Sequence, residues 1–172
     1  MARERLILLR HAQAGDAAGF AGADRDRPLT AGGEASAQAI ARALAGCLSP
    51  PTLLVSSPYL RARQTAGPLA EALGVPLREK KWLAPGQLAG LELEALAGRL
   101  PADGRLVIVG HEPDLSTLAG RLLGLTSGAS PVRLGKGDAL GLEGALPGQM
   151  RLVWHLPRTL LERLADCPER AQ

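Results

Sequence analysis

Aromatic residues are almost missing from this chain: two Trp, one Tyr and one Phe make up 2% of 172 residues. Without rings to stack bases there is no platform for single-stranded nucleic acid. The formal charge of +3 comes from dispersed arginines rather than a basic block, so no nucleic-acid partner is expected. Cysteine is as scarce. Cys47 and Cys167 lie far apart, with no CxxC spacing and no histidine nearby, which argues against a zinc site or a disulfide framework and leaves two free thiols. No apolar run approaches the roughly 18 residues of a membrane span. The apolar part of MARERLILLR is too short for the h-region of a signal peptide, so the expectation is a cytoplasmic protein with no membrane partner. No GxGxxG follows the first apolar run, which disfavours a dinucleotide fold. Leu134-Gly135-Lys136-Gly137-Asp138 lacks the Walker spacing and the following Ser or Thr, and Lys136 reads as a turn residue.

What is present suits one globular domain spanning 1–172, since 46% of the residues are hydrophobic and the mean hydropathy is +0.04. Leu6 to Leu9, Leu53 to Val55 and Leu106 to Val109 are short continuous apolar runs, the pattern of strands buried on both faces. Helical periods lie between them. Ala37, Ile40, Ala41, Leu44 and Leu48 follow an N-cap at Thr30, and Ala62, Ala66, Leu69, Ala70 and Leu73 repeat the spacing with Pro68 inside, where it should kink or shorten the helix. Leu93, Leu96, Ala97 and Leu100 form a third period, and Leu115, Leu118, Ala119 and Leu122 a fourth, with a C-cap at Gly124. Ala139 to Leu142 and Met150 to His155 flank a turn containing Gly and Pro and read as an antiparallel hairpin. The expected fold is α/β: a three-layer sandwich with a mostly parallel sheet, helices on both faces and a C-terminal antiparallel hairpin.

In such sheets ligands bind outside the carboxyl ends of the strands. After Leu9 come Arg10 and His11; after Val55 come Ser56, Ser57 and Pro58, opening a helix that carries Arg61; after Val109 come Gly110 and His111. Three strand ends thus bring two histidines and two arginines to one edge. That is what a tetrahedral dianion requires, because arginines grip phosphoryl oxygens in bidentate fashion and an imidazole can attack phosphorus. Ser57 as N-cap with Pro58 at N1 would aim the positive end of a helix dipole at the same place. His155 lies in the presumed hairpin with no partner implied by spacing and reads as structural.

Arg10-His11-Ala12, Leu29-Thr30-Ala31-Gly32-Gly33, the run from Ser56 to Thr65 and Gly110-His111-Glu112-Pro113 together resemble the ordered signature of the histidine phosphatase superfamily, which includes the phosphoglycerate mutases. Arg27-Pro28-Leu29-Thr30 and the short chain point to the SixA-type phosphohistidine phosphatases. The resemblance implies a phosphoglycerate mutase-like fold. It implies His11 as nucleophile through a phosphohistidine intermediate, with Arg10, Arg61 and His111, protonated or donating, holding the phosphoryl group. Charge spreads over the equatorial oxygens in phosphoryl transfer. Adjacent cations would keep His11 neutral. No cofactor or metal is expected.

Three departures stand out. Ala12 occupies a place where the family usually has Gly, so the turn must tolerate a side chain. The chain has no asparagine, leaving Gln13 as the stand-in for a phosphate-contacting Asn. The stretch Trp82-Leu83-Ala84-Pro85-Gly86-Gln87 has no carboxylate where some branches carry a proton donor, while Glu112 and Asp114 are explained by capping and the helix dipole. Asp24, Arg25, Asp26 and Arg27 read as a solvated loop, with Arg27 reaching the pocket rim. The leading expectation is dephosphorylation of phosphohistidine on a phosphorylated protein, a histidine phosphotransfer domain or similar, with phosphate ion as product. Alternatives are a phosphatase of small phosphate esters or sugar phosphates, and a silent phosphate- or phosphopeptide-binding module.

Overall fold

A computed structural model describes residues 5–48, 52–88, 90–97, 100–101, 103–125, 132–145 and 150–167. Strand β1 (Leu6–Arg10) is followed by helix α1 (Ala31–Cys47), β2 (Thr52–Ser56), α2 (Leu60–Leu73), β3 (Leu77–Glu79), α3 (Gly90–Ala97), β4 (Arg105–Gly110), α4 (Asp114–Leu122), β5 (Ala139–Gly144), β6 (Met150–Leu156) and α5 (Arg158–Ala165). One sheet orders the strands β3-β2-β4-β1-β5-β6. The first four run parallel, and β5 and β6 add an antiparallel edge. This is the expected sandwich.

The continuous apolar runs are strands with both faces covered, and their alternate residues sort into two clusters. Leu6, Leu8, Val55, Leu106 and Ile108 pack with Leu93, Leu96, Leu115 and Leu118 from α3 and α4. Ile7, Leu9, Leu54, Val107 and Val109 pack against Ile40 and Leu44 of α1, Ala66 and Leu69 of α2 and Leu161 of α5. The period of two along a strand thus divides one sequence run between two helical layers.

Thr30 caps α1 as expected, its side chain accepting the Gly33 N–H. Pro68 does not shorten α2, which continues to Leu73. Leu48 and Leu100 fall outside their helices, and the C-cap of α4 is Leu123, with Gly124 following at φ 74°. Of the turn assigned to the hairpin, residues 146–149 lie outside the described residues. Two elements escape the periodicity. Strand β3 is three residues long and exposed apart from Leu77, and α5 buries only Leu161 fully, too few apolar positions to register. Cys47 and Cys167 are free and exposed.

Candidate active site

Register brings the three strand ends together. Arg10 pairs with Gly110 and Ser56 with Val109, so His11, His111 and Ser57 leave adjacent strands at one level. The His11 N–H donates to the Gly110 carbonyl (3.1 Å) and the Ser57 N–H to the Val109 carbonyl (2.9 Å), carrying the ladder one step past the sheet. The two imidazole centroids are 5.1 Å apart. Arg61 enters from the first turn of α2, and with Arg10, His11 and His111 it lines a cavity of about 500 Å3. Gln13 and Arg27 line it too. Ser57 stands behind His111.

His11 Nδ1 lies 2.7 Å from the Ala12 carbonyl, which can only accept, so the ring proton sits on Nδ1 and Nε2 keeps its lone pair. Arg61 Nε donates to that Nε2 at 3.3 Å. His11 is pushed down to about 4, first by burial and then by the charges of Arg61, Arg10 and Lys136, against the opposing effect of the Ala12 hydrogen bond. Burial leads here rather than the cations. His111 is lowered to about 3, again chiefly by burial, then by His11 and Arg61. Of the two forms expected for His111, this site favours the neutral donor. Ser57 Oγ accepts the Tyr59 N–H and stands 2.8 Å from His111 Nε2. Its own proton can go to Nε2, which places the ring proton on Nδ1, a buried atom with no partner. Arg10 donates through Nη1 to the Leu134 carbonyl (2.8 Å) while its Nε is also buried and unpartnered. Among the described residues these two donors on the cavity residues therefore lack acceptors, a desolvation cost carried by the site itself.

The residues around these four have identifiable tasks. Thr65 Oγ1 accepts the Ala12 N–H (3.0 Å) and donates to the Arg61 carbonyl (2.7 Å), tying the turn after His11 to α2. Gln64 accepts the Leu29 N–H. Ala12 is fully buried, and no described non-glycine residue has positive φ, so alanine is unstrained there. Gln13 turns its amide to the Ala14 carbonyl.

Several expectations need correction. Helix α2 starts at Leu60 behind an N-cap at Tyr59; Ser57 is not its cap, nor Pro58 its first residue, and Ser57 serves His111 instead. Neither Glu112 nor Asp114 caps α4, whose N-cap Pro113 makes no side-chain bond, but Asp114 stands in its first turn, where the helix dipole favours a carboxylate. Glu112 lines the cavity, its Oε2 accepting the Ser116 hydroxyl (2.6 Å) and its Oε1 unpartnered. Asp114 accepts the Gly86 N–H, fixing the loop that brings Pro85 to the wall.

Asp24 and Arg27 are not simply solvated either. Arg61 Nη1 and Nη2 donate to the Asp24 carbonyl (2.8 Å) and carboxylate (3.1 Å), and Arg27 donates to the same carboxylate and to the Gly15 carbonyl. Burial alone would raise the Asp24 carboxyl; the hydrogen bond from Arg27 and the charge of Arg61 outweigh it and hold it low. Lys136, read as a turn residue, lines the cavity as well. Nothing in the local sequence marks Asp24 or Lys136, because each reaches the site through a loop rather than a strand end. His155 keeps its structural reading, with Nε2 at 3.5 Å from Asp138.

Residues 6–106 match the family model of the histidine phosphatase superfamily, branch 1. The span includes Arg10, His11 and Arg61, and His111 lies just beyond it. An uncharacterised protein of Picosynechococcus sp. is 41% identical over 116 residues, 66% of this chain and 70% of that one. Among solved structures, the Agrobacterium tumefaciens protein assigned to the phosphohistidine phosphatase SixA superposes with a TM-score of 0.71 at 26% identity, over 89% of this chain and 97% of that one. The protein histidine phosphatase SixA complexed with tungstate gives 0.75 at 23% identity (90% and 97% covered), and a mycobacterial glucosyl-3-phosphoglycerate phosphatase 0.71 at 22% (90% and 98%). These last two likenesses are of fold. With well over half its length inside the family model, the chain belongs to the histidine phosphatase superfamily, branch 1, and is built like the SixA-type proteins.

Proposed function

We propose that this phosphatase hydrolyses phosphohistidine on a phosphotransfer protein, with His11 as nucleophile. His11 Nε2 attacks phosphorus as the bond to the substrate imidazole breaks, and that imidazole takes a proton from solvent. Water then attacks the phosphoryl group on His11, the P–Nε2 bond breaks, and phosphate leaves with the ring neutral again. The side chains of Arg10 and His111 donate to the phosphoryl oxygens, and the N–H groups of Arg61 not committed to Asp24 add a third contact. Ser57 orients His111, while Gln13 and Arg27 stand at the rim. A neutral, lone-pair-bearing Nε2 is superfluous in a silent binding module.

The observation that carries the substrate reading is the state of the carboxylates on the wall. Asp24 is paired with Arg27 and Arg61, Asp16 accepts the Ala18 N–H, and Glu112 is held by Ser116, with Pro85 beside them. An alkoxide leaving group needs a positioned acid worth about 10² to 10⁴ in rate, whereas imidazole leaves without one. One feature favours the second reading, small phosphate esters: the unpartnered Oε1 of Glu112 on the cavity wall.

The test compares kcat/KM for a phosphohistidine protein and a panel of alkyl, sugar and aryl phosphates in wild type, His11→Ala and Glu112→Gln. Wild type should favour phosphohistidine over alkyl phosphates by about 10² or more. His11→Ala should abolish all turnover and the acid-labile phosphate trapped on the protein. A better rate on a sugar phosphate, lost selectively in Glu112→Gln, would instead make Glu112 the acid and small esters the substrates.

A further inference from the structure

A second cavity of about 360 Å3 opens beside the first, and Gln13 and Lys136 belong to both walls. Gly135, Asp138, Pro157, Arg158 and Thr159 complete the second one. Among the described residues no histidine or cysteine lines it. The turn that presents Lys136 is fixed at both ends. Asp138 accepts the Gly135 N–H (2.7 Å) and the Arg158 N–H (2.8 Å), one on each carboxylate oxygen. The Gly137 N–H points back to the Arg10 and His11 carbonyls (3.2 and 3.1 Å), at a φ of 82° that suits glycine. Asp138 thereby spends both carboxylate oxygens on backbone N–H groups and holds the turn that presents Lys136.

The cations differ in their freedom. Arg158 is paired with Glu162 at 2.7 Å, whereas Lys136 makes no hydrogen bond or ion pair among the described residues. Its ammonium is disfavoured first by burial and then by Arg10, Arg27 and Arg61, with Asp16 acting the other way. A half-buried, unpaired ammonium among guanidinium groups is costly to hold, and an anion relieves that cost. Arg10, Arg61 and His111 already surround His11, and Lys136 stands where the two cavities meet.

We infer that Lys136 and the second cavity form an accessory site for a second acidic group on the phosphorylated substrate, a carboxylate or phosphate separate from the phosphoryl group under attack. This rests on the reading of the first cavity as the phosphoryl site. A lysine suits the task because its point charge and flexible stem accept an anion without demanding a bidentate geometry. The acidic group comes either from an Asp or Glu beside phosphohistidine on a protein or from a small ester that carries its own acid.

Two substrate pairs separate these sources. One is a pair of phosphohistidine peptides differing only in Glu or Gln beside the phosphorylated residue; the other is 3-phosphoglycerate and glycerol 3-phosphate, which differ in one carboxylate. In at least one pair the wild type should favour the acidic member in kcat/KM by about tenfold, through KM. Lys136→Met should bring the ratio near one, Lys136→Arg should keep most of it, and Thr159→Glu, on the exposed wall of the second cavity, should lower it. The pair that responds names the source. A wild-type ratio near one in both pairs, or a ratio that survives Lys136→Met, overturns the accessory site while leaving the phosphatase reading intact. Failure to hydrolyse any of the four compounds overturns both.

Discussion

Ala12 has no functional group of its own, yet its backbone sets the chemistry of its neighbour. Its carbonyl holds the Nδ1 proton of His11, and its N–H is received by Thr65. Thr65 is 1% exposed, so no water replaces the hydroxyl if it is removed. Thr65→Ala leaves a buried N–H unpaired, which costs about 1 to 3 kcal/mol, and it loosens the turn that aims Nε2. The expected result is a loss of about 2 kcal/mol in urea denaturation together with a lower kcat, and Thr65→Ser should recover most of both. Equal losses for the two variants would mean that the methyl group, not the hydroxyl, carries the effect.

Helix α1 shows how one element serves the site from a distance. The Thr30 N–H donates to the Gln13 carbonyl (3.0 Å), so the start of the helix is docked on the loop after His11. The approach is close enough that a Cβ on Gly33 would lie 2.0 Å from that carbonyl oxygen. Near the other end of the helix a Cβ on Gly46 meets nothing within 4 Å. The same substitution should therefore have opposite signs in one helix. Gly46→Ala should stabilise by about 0.5 kcal/mol through helix propensity, while Gly33→Ala should destabilise by about 2 kcal/mol or more because backbone must move. Thermal midpoints of the two variants check this, and a neutral Gly33→Ala would show that the loop shifts freely.

At the scale of the whole molecule, the site is a set of neutral imidazoles held among cations. The pKa of His11 is about 4 and that of His111 about 3, both below the ordinary value near 6.5. The unfolded chain therefore takes up protons below about pH 6.5 that the folded site refuses. Stability falls as pH drops through that window and is unaffected by these groups above it. At about 1.4 kcal/mol per unit, His11 accounts for a loss of about 2.5 kcal/mol between pH 7.5 and 4.5, and His11→Gln should reduce the total loss by that amount in denaturant titrations. For wild-type catalysis, the acid limb of kcat/KM, once substrate ionisation is divided out, should fall near pH 4. A limb near 6.5 would place the nucleophile in water rather than behind the cavity wall.

The apolar runs at β1, β2 and β4 and the polar residues that follow them, Arg10-His11, Ser56-Ser57 and Gly110-His111, were legible from local order alone. Strand burial and helix spacing are written at periods of two and 3.6, and a residue just past a strand inherits the strand's address. The same holds for the Thr30 cap. Short or weakly apolar elements, β3 and α5, left too little periodicity to read. What only tertiary structure decided was who stands beside whom across loops. Asp24 binds Arg61 and Lys136 reaches the cavity because the chain closes over distances that no local pattern encodes. The neutral state of both histidines, the ring proton on Nδ1 of His11 and the unpartnered donors of Arg10 and His111 likewise follow from burial and from contacts between segments. Protonation depends on the environment of a group, and in this protein that environment exists only once the strands are in register.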